Sequence, residues 1–317
     1  MRMFDADRTA ALLPYGPLAD EVARTLARKS QGLVDAPERL CLPLPGGAVL
    51  LVMPASDGEL AVTKLVTVHP GNAALGLPLI RGEVLVLDAV TGQRLALLDG
   101  PALTARRTAA ASLLAARLLA PAPGGPLLVV GAGVQAKAHA EAFLDGLAGL
   151  DVKEMFIHAR NALAAEALAE HLRGLGAEAV ALKEPDQAVD HTGRTPQTLR
   201  QALERATLIV TATASPVPVL PEQVRDDAFI AAVGSFRPDE AEIPAGLVRR
   251  CALYVDSLEG ARAEAGDLLL AGVDWSRVTP LEQTLAGREP AAGPVLYKSV
   301  GHAALDLAAA RLALDLA

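Results

Sequence analysis

Residues 127–143, LLVVGAGVQAKAHAEAF, constrain this chain more than any other stretch. Leu127, Leu128, Val129 and Val130 form a short apolar run that reads as a buried strand. Gly131-Ala132-Gly133 supplies a tight turn, and Val134, Ala138 and Ala142, with Phe143 beside them, then recur at helical spacing. Strand, glycine turn and helix in that order are the context in which G-x-G-x-x-G/A binds a dinucleotide. Gly131 lets the chain turn sharply, Gly133 presents no side chain to a pyrophosphate, and Ala136 in the third-glycine place still lets helix and strand pack closely. The helix start adds free N–H groups and the positive end of its dipole. The predicted cradle is Gly131, Ala132, Gly133, Val134 and Gln135. Small residues also serve ordinary strand–helix packing, so the motif counts here because of its context.

The surrounding pattern supports the same class. Apolar strand runs at 127–130, 154–157, 179–182, 208–211, 229–233 and 252–255 alternate with helices beginning near Val134, Ala162, Gln197, Pro221 and Ser257. Such alternation predicts a parallel sheet with right-handed crossovers. The polar stretch 183–196 reads as a surface loop. The first hundred residues differ. A helix over 7–30, interrupted near its start by Pro14 and Pro17, precedes strands at 38–53, 59–68, 83–88 and 94–98, with a hairpin signal at Gly46-Gly47. This half reads as mostly antiparallel sheet. A helix over 104–119 runs into the Pro/Gly linker 120–126, and residues 298–316 read as a final amphipathic helix. The fold class is α/β: a Rossmann domain over 121–293, and an α+β domain over 1–120 completed by 294–317.

The 317 residues suffice for two domains, and a 51% hydrophobic chain can bury a full core. A net charge of -8 gives no support to nucleic-acid binding, which needs a basic face. Cys41 and Cys251 lie far apart and suggest neither a disulfide framework nor a metal site. His69 and His139 have no partners at metal-ligand spacing, so no metal is expected. The start MRMFDADRTA has no apolar h-region, and no apolar run is long enough to span a membrane. A cytoplasmic location is expected.

The second strand of a Rossmann fold normally ends in an acid that bonds the ribose 2′-OH of NAD. Here the run Phe156-Ile157-His158-Ala159-Arg160-Asn161 has no carboxylate. An Arg attracts a 2′-phosphate and can bond it bidentately. Arg160 therefore points to NADPH, with NADH second, and Asn161 is either a second contact or a helix cap. The alternative for Arg160 is a solvated charge opening a helix.

With these motifs in view, the chain resembles the ornithine cyclodeaminase/mu-crystallin family. The resemblance rests on AVTKLVTVHPGN, LTARRTAAASLLAARLL, VVGAGVQAKAHAEAF, AAVGSFRPDEAEI, LYVDSLEGARAEAGDLLLAG and VLYKSVGHAALDLAAA, and covers roughly Arg39 onward. It implies an N-terminal sheet domain, joined by the C-terminal helix, that makes a dimer interface and holds substrate. A Rossmann domain forms the remainder, with the active site in the cleft between the two. It also implies a carboxylate pocket of three cations, which fall by motif position on Arg39, Lys64 and Arg107; the pattern R-T-A-A selects Arg107 over Arg106. The chemistry suits a small 2-imino or 2-amino acid, because an Arg fork grips a carboxylate and a Lys can also hold a proton at the reacting nitrogen. The alternative for Arg39 is a surface ion pair, whereas Lys64 in an apolar strand is harder to explain without a partner.

By the same resemblance Thr108 contacts cofactor phosphate. Thr211 and Thr213, Val233 with Ser235, and Lys298 with Ser299 lie near the nicotinamide. Glu264 contacts substrate or holds a water, or is an exposed helix carboxylate. His302 is expected to pack. Two departures stand out. Cyclodeaminases proper carry an Asp where this chain has Phe236, and a Glu where it has Val52. With the missing second-strand acid, they disfavour cyclodeamination and favour the ketimine reductase branch. The expected reaction is NADPH-dependent reduction of Δ1-pyrroline-2-carboxylate or Δ1-piperideine-2-carboxylate. The rivals are ornithine cyclodeaminase, an alanine or opine-type dehydrogenase, and a cofactor-bound binding protein without turnover.

Overall fold

The computed structural model describes residues 1–146, 152–183, 198–287 and 292–317. The chain divides into two compact units, Met1–Ala111 with Gly301–Ala317, and Ser112–Val300.

The first unit opens with β1 (Arg2–Phe4) and α1 (Ala6–Ala11), whose first turn is capped by the Asp5 carboxylate accepting from the Arg8 N–H at 2.9 Å. The single helix expected over 7–30 is two. Pro14, which fixes an extended conformation, stands at the N-cap of α2 (Tyr15–Ser30), and Pro17 fits in its first turn, where no N–H is required. On α2, Leu18, Val22, Thr25 and Leu26 are buried at helical spacing. There follow β2 (Leu40–Pro43), β3 (Val49–Ser56), β4 (Leu60–Val68), β5 (Ile80–Asp88), β6 (Arg94–Asp99) and α3 (Gly100–Leu119), whose residues from Ser112 onward belong to the second unit. The sheet order is β1-β6-β5-β4-β3-β2, antiparallel except for the β1–β6 pair.

The second unit holds β7 (Leu127–Val130), α4 (Val134–Gly146), β8 (Glu154–His158), α5 (Ala162–Gly174), β9 (Glu178–Ala181) and α6 (Leu199–Leu203). It continues with β10 (Leu208–Thr211), β11 (Phe229–Ala232), α7 (Ala245–Arg250), β12 (Ala252–Val255), α8 (Leu258–Glu264), α9 (Gly266–Ala271), β13 (Val278–Pro280) and β14 (Val295–Lys298). Its sheet is parallel throughout, in the order β13-β12-β14-β11-β10-β7-β8-β9. The chain leaves β7 toward β8 and β9, then returns to place β10 on the other side of β7. That reversal is the topological switch point at which open α/β sheets bind ligands, beyond the carboxyl ends of the strands.

Three sequence expectations change here. No helix begins near Pro221; the short α7 lies later instead. Residues 294–300, expected with the first domain, pair within the second sheet, because Val295–Lys298 is an apolar strand inserted between β11 and β12. The last helix accordingly starts late. Gly301 adopts φ +88°, which breaks the chain's direction, and the His302 side chain caps α10 (Ala303–Asp315). α10 packs on α2, β3 and β4. Most of the turn-rich stretch 183–196 lies outside the described residues.

Candidate active site

Lys64 owes its position to strand alternation. In β4 the side chains of Val62, Lys64 and Val66 turn to the buried face, while Leu65 turns outward. A lysine thus occupies a core position, opposite Met53 of β3 and Val84 of β5. Its partner comes from α10. The two Asp306 carboxylate oxygens lie 3.0 and 2.8 Å from Lys64 Nζ. Arg107, one turn inside the buried part of α3, donates Nε–H to Asp306 Oδ1 at 3.1 Å. All three side chains are buried. Arg39, half-buried just before β2, acts on Lys64 through its charge. Burial pushes the Lys64 ammonium down to about 8, and the Arg107 and Arg39 cations push the same way; Asp306 opposes them. Two of the three expected cations are therefore brought together by an acid that the sequence reading missed.

Val52, at the position expected for the cyclodeaminase Glu, faces away from Lys64. Met53 is the residue opposite Lys64, so Val52 points to the other face of the sheet, across from Leu40 and Leu65. β3 carries no acid on either face, so the missing Glu stays missing.

In the second unit, backbone hydrogen bonds join the strand ends into one rim. Gly131 N donates to His158 O at 2.8 Å, Ala212 N to Val130 O at 2.9 Å, Val233 N to Thr211 O at 3.0 Å and Ser299 N to Ala232 O at 3.1 Å. Gly131 has φ +126°, and a Cβ there would lie 2.4 Å from the Ala212 carbonyl oxygen. Only glycine fits. A Cβ on Gly133 would meet nothing within 4 Å, so the backbone is open to an approaching group. Ala136 is fully buried against this turn. Gln135 Oε1 and Thr211 Oγ1 are buried with no hydrogen-bond partner among the described residues. An open glycine turn, a helix start and two orphaned polar atoms fit the phosphates and ribose of a dinucleotide.

Glu242, also missed by the sequence reading, organises the rim. One of its oxygens accepts from Thr213 N and Oγ1 at 2.8 and 2.7 Å, the other from Gly234 N and Ser235 N at 2.7 and 3.3 Å. Ser299 Oγ donates to Asp256 at 2.7 Å. Lys298, expected at the nicotinamide edge, is instead an internal strut, fully buried against Asp267 and the Ser235 carbonyl. Asn161 is the α5 cap, accepting from Ala164 N at 3.1 Å, and Arg160 is exposed beside it at the end of β8. Thr108 belongs to the first unit and donates to the Thr104 carbonyl at 2.7 Å. Glu264 is half-buried at the last position of α8. Phe236 is 39% exposed after β11.

The family model for the ornithine cyclodeaminase/mu-crystallin family matches residues 3–317. This chain belongs to that family. It is 43% identical to a Δ1-pyrroline-2-carboxylate reductase of Burkholderia multivorans, over 99% of this chain and 95% of the relative. It is 41% identical to a Δ1-pyrroline-2-carboxylate/Δ1-piperideine-2-carboxylate reductase of Azospirillum brasilense, over 99% and 95%. The solved Δ1-pyrroline-2-carboxylate reductase of Thermococcus litoralis, in complex with NADH and L-proline, superposes with a TM-score of 0.89 at 28% identity. It covers 100% of this family member and 97% of its own chain.

Proposed function

We propose that the protein reduces a small cyclic imino acid, Δ1-pyrroline-2-carboxylate or Δ1-piperideine-2-carboxylate, to the cyclic amino acid, with NADPH as reductant. The observation that carries this reading is the pair of buried cations, Lys64 and Arg107, held on one carboxylate in a chain 41–43% identical to reductases of those imino acids. Arg39, Lys64 and Arg107 grip the substrate carboxylate. A reduced nicotinamide supplies hydride to the C=N carbon. Lys64, or a water held by it or by Glu264, keeps the imine nitrogen protonated, and the protonated imine is the better hydride acceptor. The hydride and the proton together balance the two-electron reduction. No acid faces Lys64 from β3, so nothing there serves the side-chain amine of ornithine.

The glycine turn, Gln135, Thr211, Thr213, Val233, Ser235 and Ser299 hold the dinucleotide in this reading, with Thr108 at a phosphate. Arg160, exposed after β8 in a run 156–161 without a carboxylate, favours the 2′-phosphate of NADPH. A homodimer is favoured by the outer face of the first sheet, where Leu40, Leu42 and Leu65 are 57, 49 and 46% exposed. Val52 belongs to this same face. Free thiols at Cys41 and Cys251 fit a cytoplasmic setting, and no helix among the described residues is long and apolar enough to cross a membrane.

The test follows absorbance of NADPH and NADH with Δ1-pyrroline-2-carboxylate, beside ornithine with NAD assayed for ammonia. Imine-dependent oxidation with NADPH ahead of NADH is expected. Ammonia from ornithine without imine reduction would overturn the reading. Replacing Arg160 with Ala should lower the NADPH preference by about tenfold or more, the worth of one charge-assisted contact. Light scattering tests the dimer.

A further inference from the structure

We propose that Asp306 is a positioning residue for the reaction, holding Lys64 and Arg107 on one buried carboxylate so that their remaining N–H groups address a single substrate carboxylate. The proposal rests on the imine-reductase reading above.

The geometry assigns each donor. Lys64 Nζ lies within 3.0 Å of both Asp306 oxygens, leaving part of a three-donor ammonium for another acceptor. Arg107 gives Asp306 only its Nε–H, leaving the planar fork of its two η nitrogens. That fork is fixed from a second side. A Cβ built on Gly301 would lie 3.0 Å from Arg107 Nη2 and 3.2 Å from Nη1, so the guanidinium rests against the backbone just before α10. Residues 301–306 thus set both the Nε edge and the η edge of one arginine.

Charge points the same way. The charged groups acting on Lys64 are Asp306 from α10, Arg107 from α3 and Arg39 ahead of β2. Two buried cations, Lys64 and Arg107, on one buried carboxylate leave surplus positive charge, and an anionic substrate supplies the balance. Without Asp306, Lys64 would sit buried beside two cations and would release its proton at lower pH. Asp306 thereby keeps the ammonium charged and fixes its direction, without itself touching the reacting atoms.

The experiment compares wild type, Asp306→Asn and Asp306→Glu, each loaded with NADPH. The readouts are kcat and KM for Δ1-pyrroline-2-carboxylate across neutral to alkaline pH, and calorimetric binding of pyrrole-2-carboxylate, a planar carboxylate that is not reduced. Asp306→Asn is expected to lose about a hundredfold in kcat/KM, the scale of a misplaced binding group. Its KM should rise, its pyrrole-2-carboxylate affinity should fall, and its alkaline limb should move to lower pH, with NADPH affinity unchanged. Asp306→Glu should restore the limb toward the wild-type position while kcat/KM stays low. A wild-type KM, limb and carboxylate affinity in Asp306→Asn overturns the proposal. If Asp306→Asn does not fold, Asp306→Glu decides, and wild-type kinetics in that variant overturn it. A wild-type enzyme that reduces no imine defeats only the reading of function; pyrrole-2-carboxylate binding then decides for or against Asp306.

Discussion

Lys298 Nζ lies 2.7 Å from Asp267 Oδ2, with both side chains fully buried. The same ammonium donates to the Ser235 carbonyl at 2.6 Å, and the other Asp267 oxygen accepts from the N–H groups of Glu242 and Ile243. One ion pair therefore ties the end of β14, the loop after β11 and the start of α9. Removing one partner of a buried pair strands the other charge and costs about 3–5 kcal/mol. Asp267→Asn should lower the melting temperature by on the order of 10 °C, given about 2–4 °C per kcal/mol for a unit of this size. Thermal unfolding followed by circular dichroism checks this, and an unchanged midpoint would show that the pair contributes little.

Glu242 translates that strut into the shape of the rim. Its carboxylate accepts four hydrogen bonds, from two strand-end loops. In Glu242→Gln one acceptor oxygen becomes an NH2 group facing N–H donors. A hydrogen bond to a charged group contributes about 1.5–3 kcal/mol, so stability should fall by at least that much. The loops that carry Thr213 and Ser235 should also loosen, so NADPH affinity, measured by fluorescence titration, should fall with it. Full cofactor affinity in a destabilised Glu242→Gln would separate Glu242 from the cofactor site.

The dinucleotide turn was legible in the sequence because its causes are local: four apolar residues, two glycines with defined tasks and a helix start. β13 and β14 were not: strands of three and four residues carry no periodicity of their own, and these two lack the long helix that follows β7 and β8 within the second unit. Lys298 within the second of them reads as the start of the final helix until the sheet order shows its neighbours. Lys64 and Arg107 were legible by motif, but Asp306 was not, because a lone acid on a helix is ordinarily solvated. A usable signal was present. Residues 303–310, AALDLAAA, are otherwise apolar on every side, and a helix of that kind is buried, so its one carboxylate needs a cation. Which cations it meets is a long-range fact, set by the register of β4 and the placement of α10.

Lys64 should give the enzyme an alkaline limit. Its ammonium titrates at about 8, below the ordinary lysine value, chiefly through burial. Below that pH the charge proposed to grip substrate and protect the imine proton is present; above it, the charge is lost. The profile of kcat/KM, which reports the free enzyme, should bend downward near pH 8 and fall about tenfold per further unit. Lys64→Met should remove the bend and most of the turnover while retaining NADPH binding. A profile flat well past that pH, or normal turnover in Lys64→Met, would remove Lys64 from the mechanism.

His139 should set an acid limit on the second unit. Its Nδ1 lies 2.7 Å from the Gln135 carbonyl, which can only accept, so Nδ1 carries the proton and Nε2 accepts from Ser112 Oγ at 2.9 Å. The ring is fully buried, and burial pushes its titration down to about 4. The folded state therefore keeps His139 neutral where the unfolded chain takes up a proton. Its contribution to stability is complete above the ordinary histidine value of about 6.5 and is lost as pH falls from there toward about 4. The linkage over that window amounts to about 3 kcal/mol. Denaturant unfolding at a series of pH values should show this loss in wild type. His139→Gln removes the titrating group, so its stability should start lower at neutral pH and decline less steeply with acid. Parallel declines in the two proteins would assign the acid sensitivity to other groups.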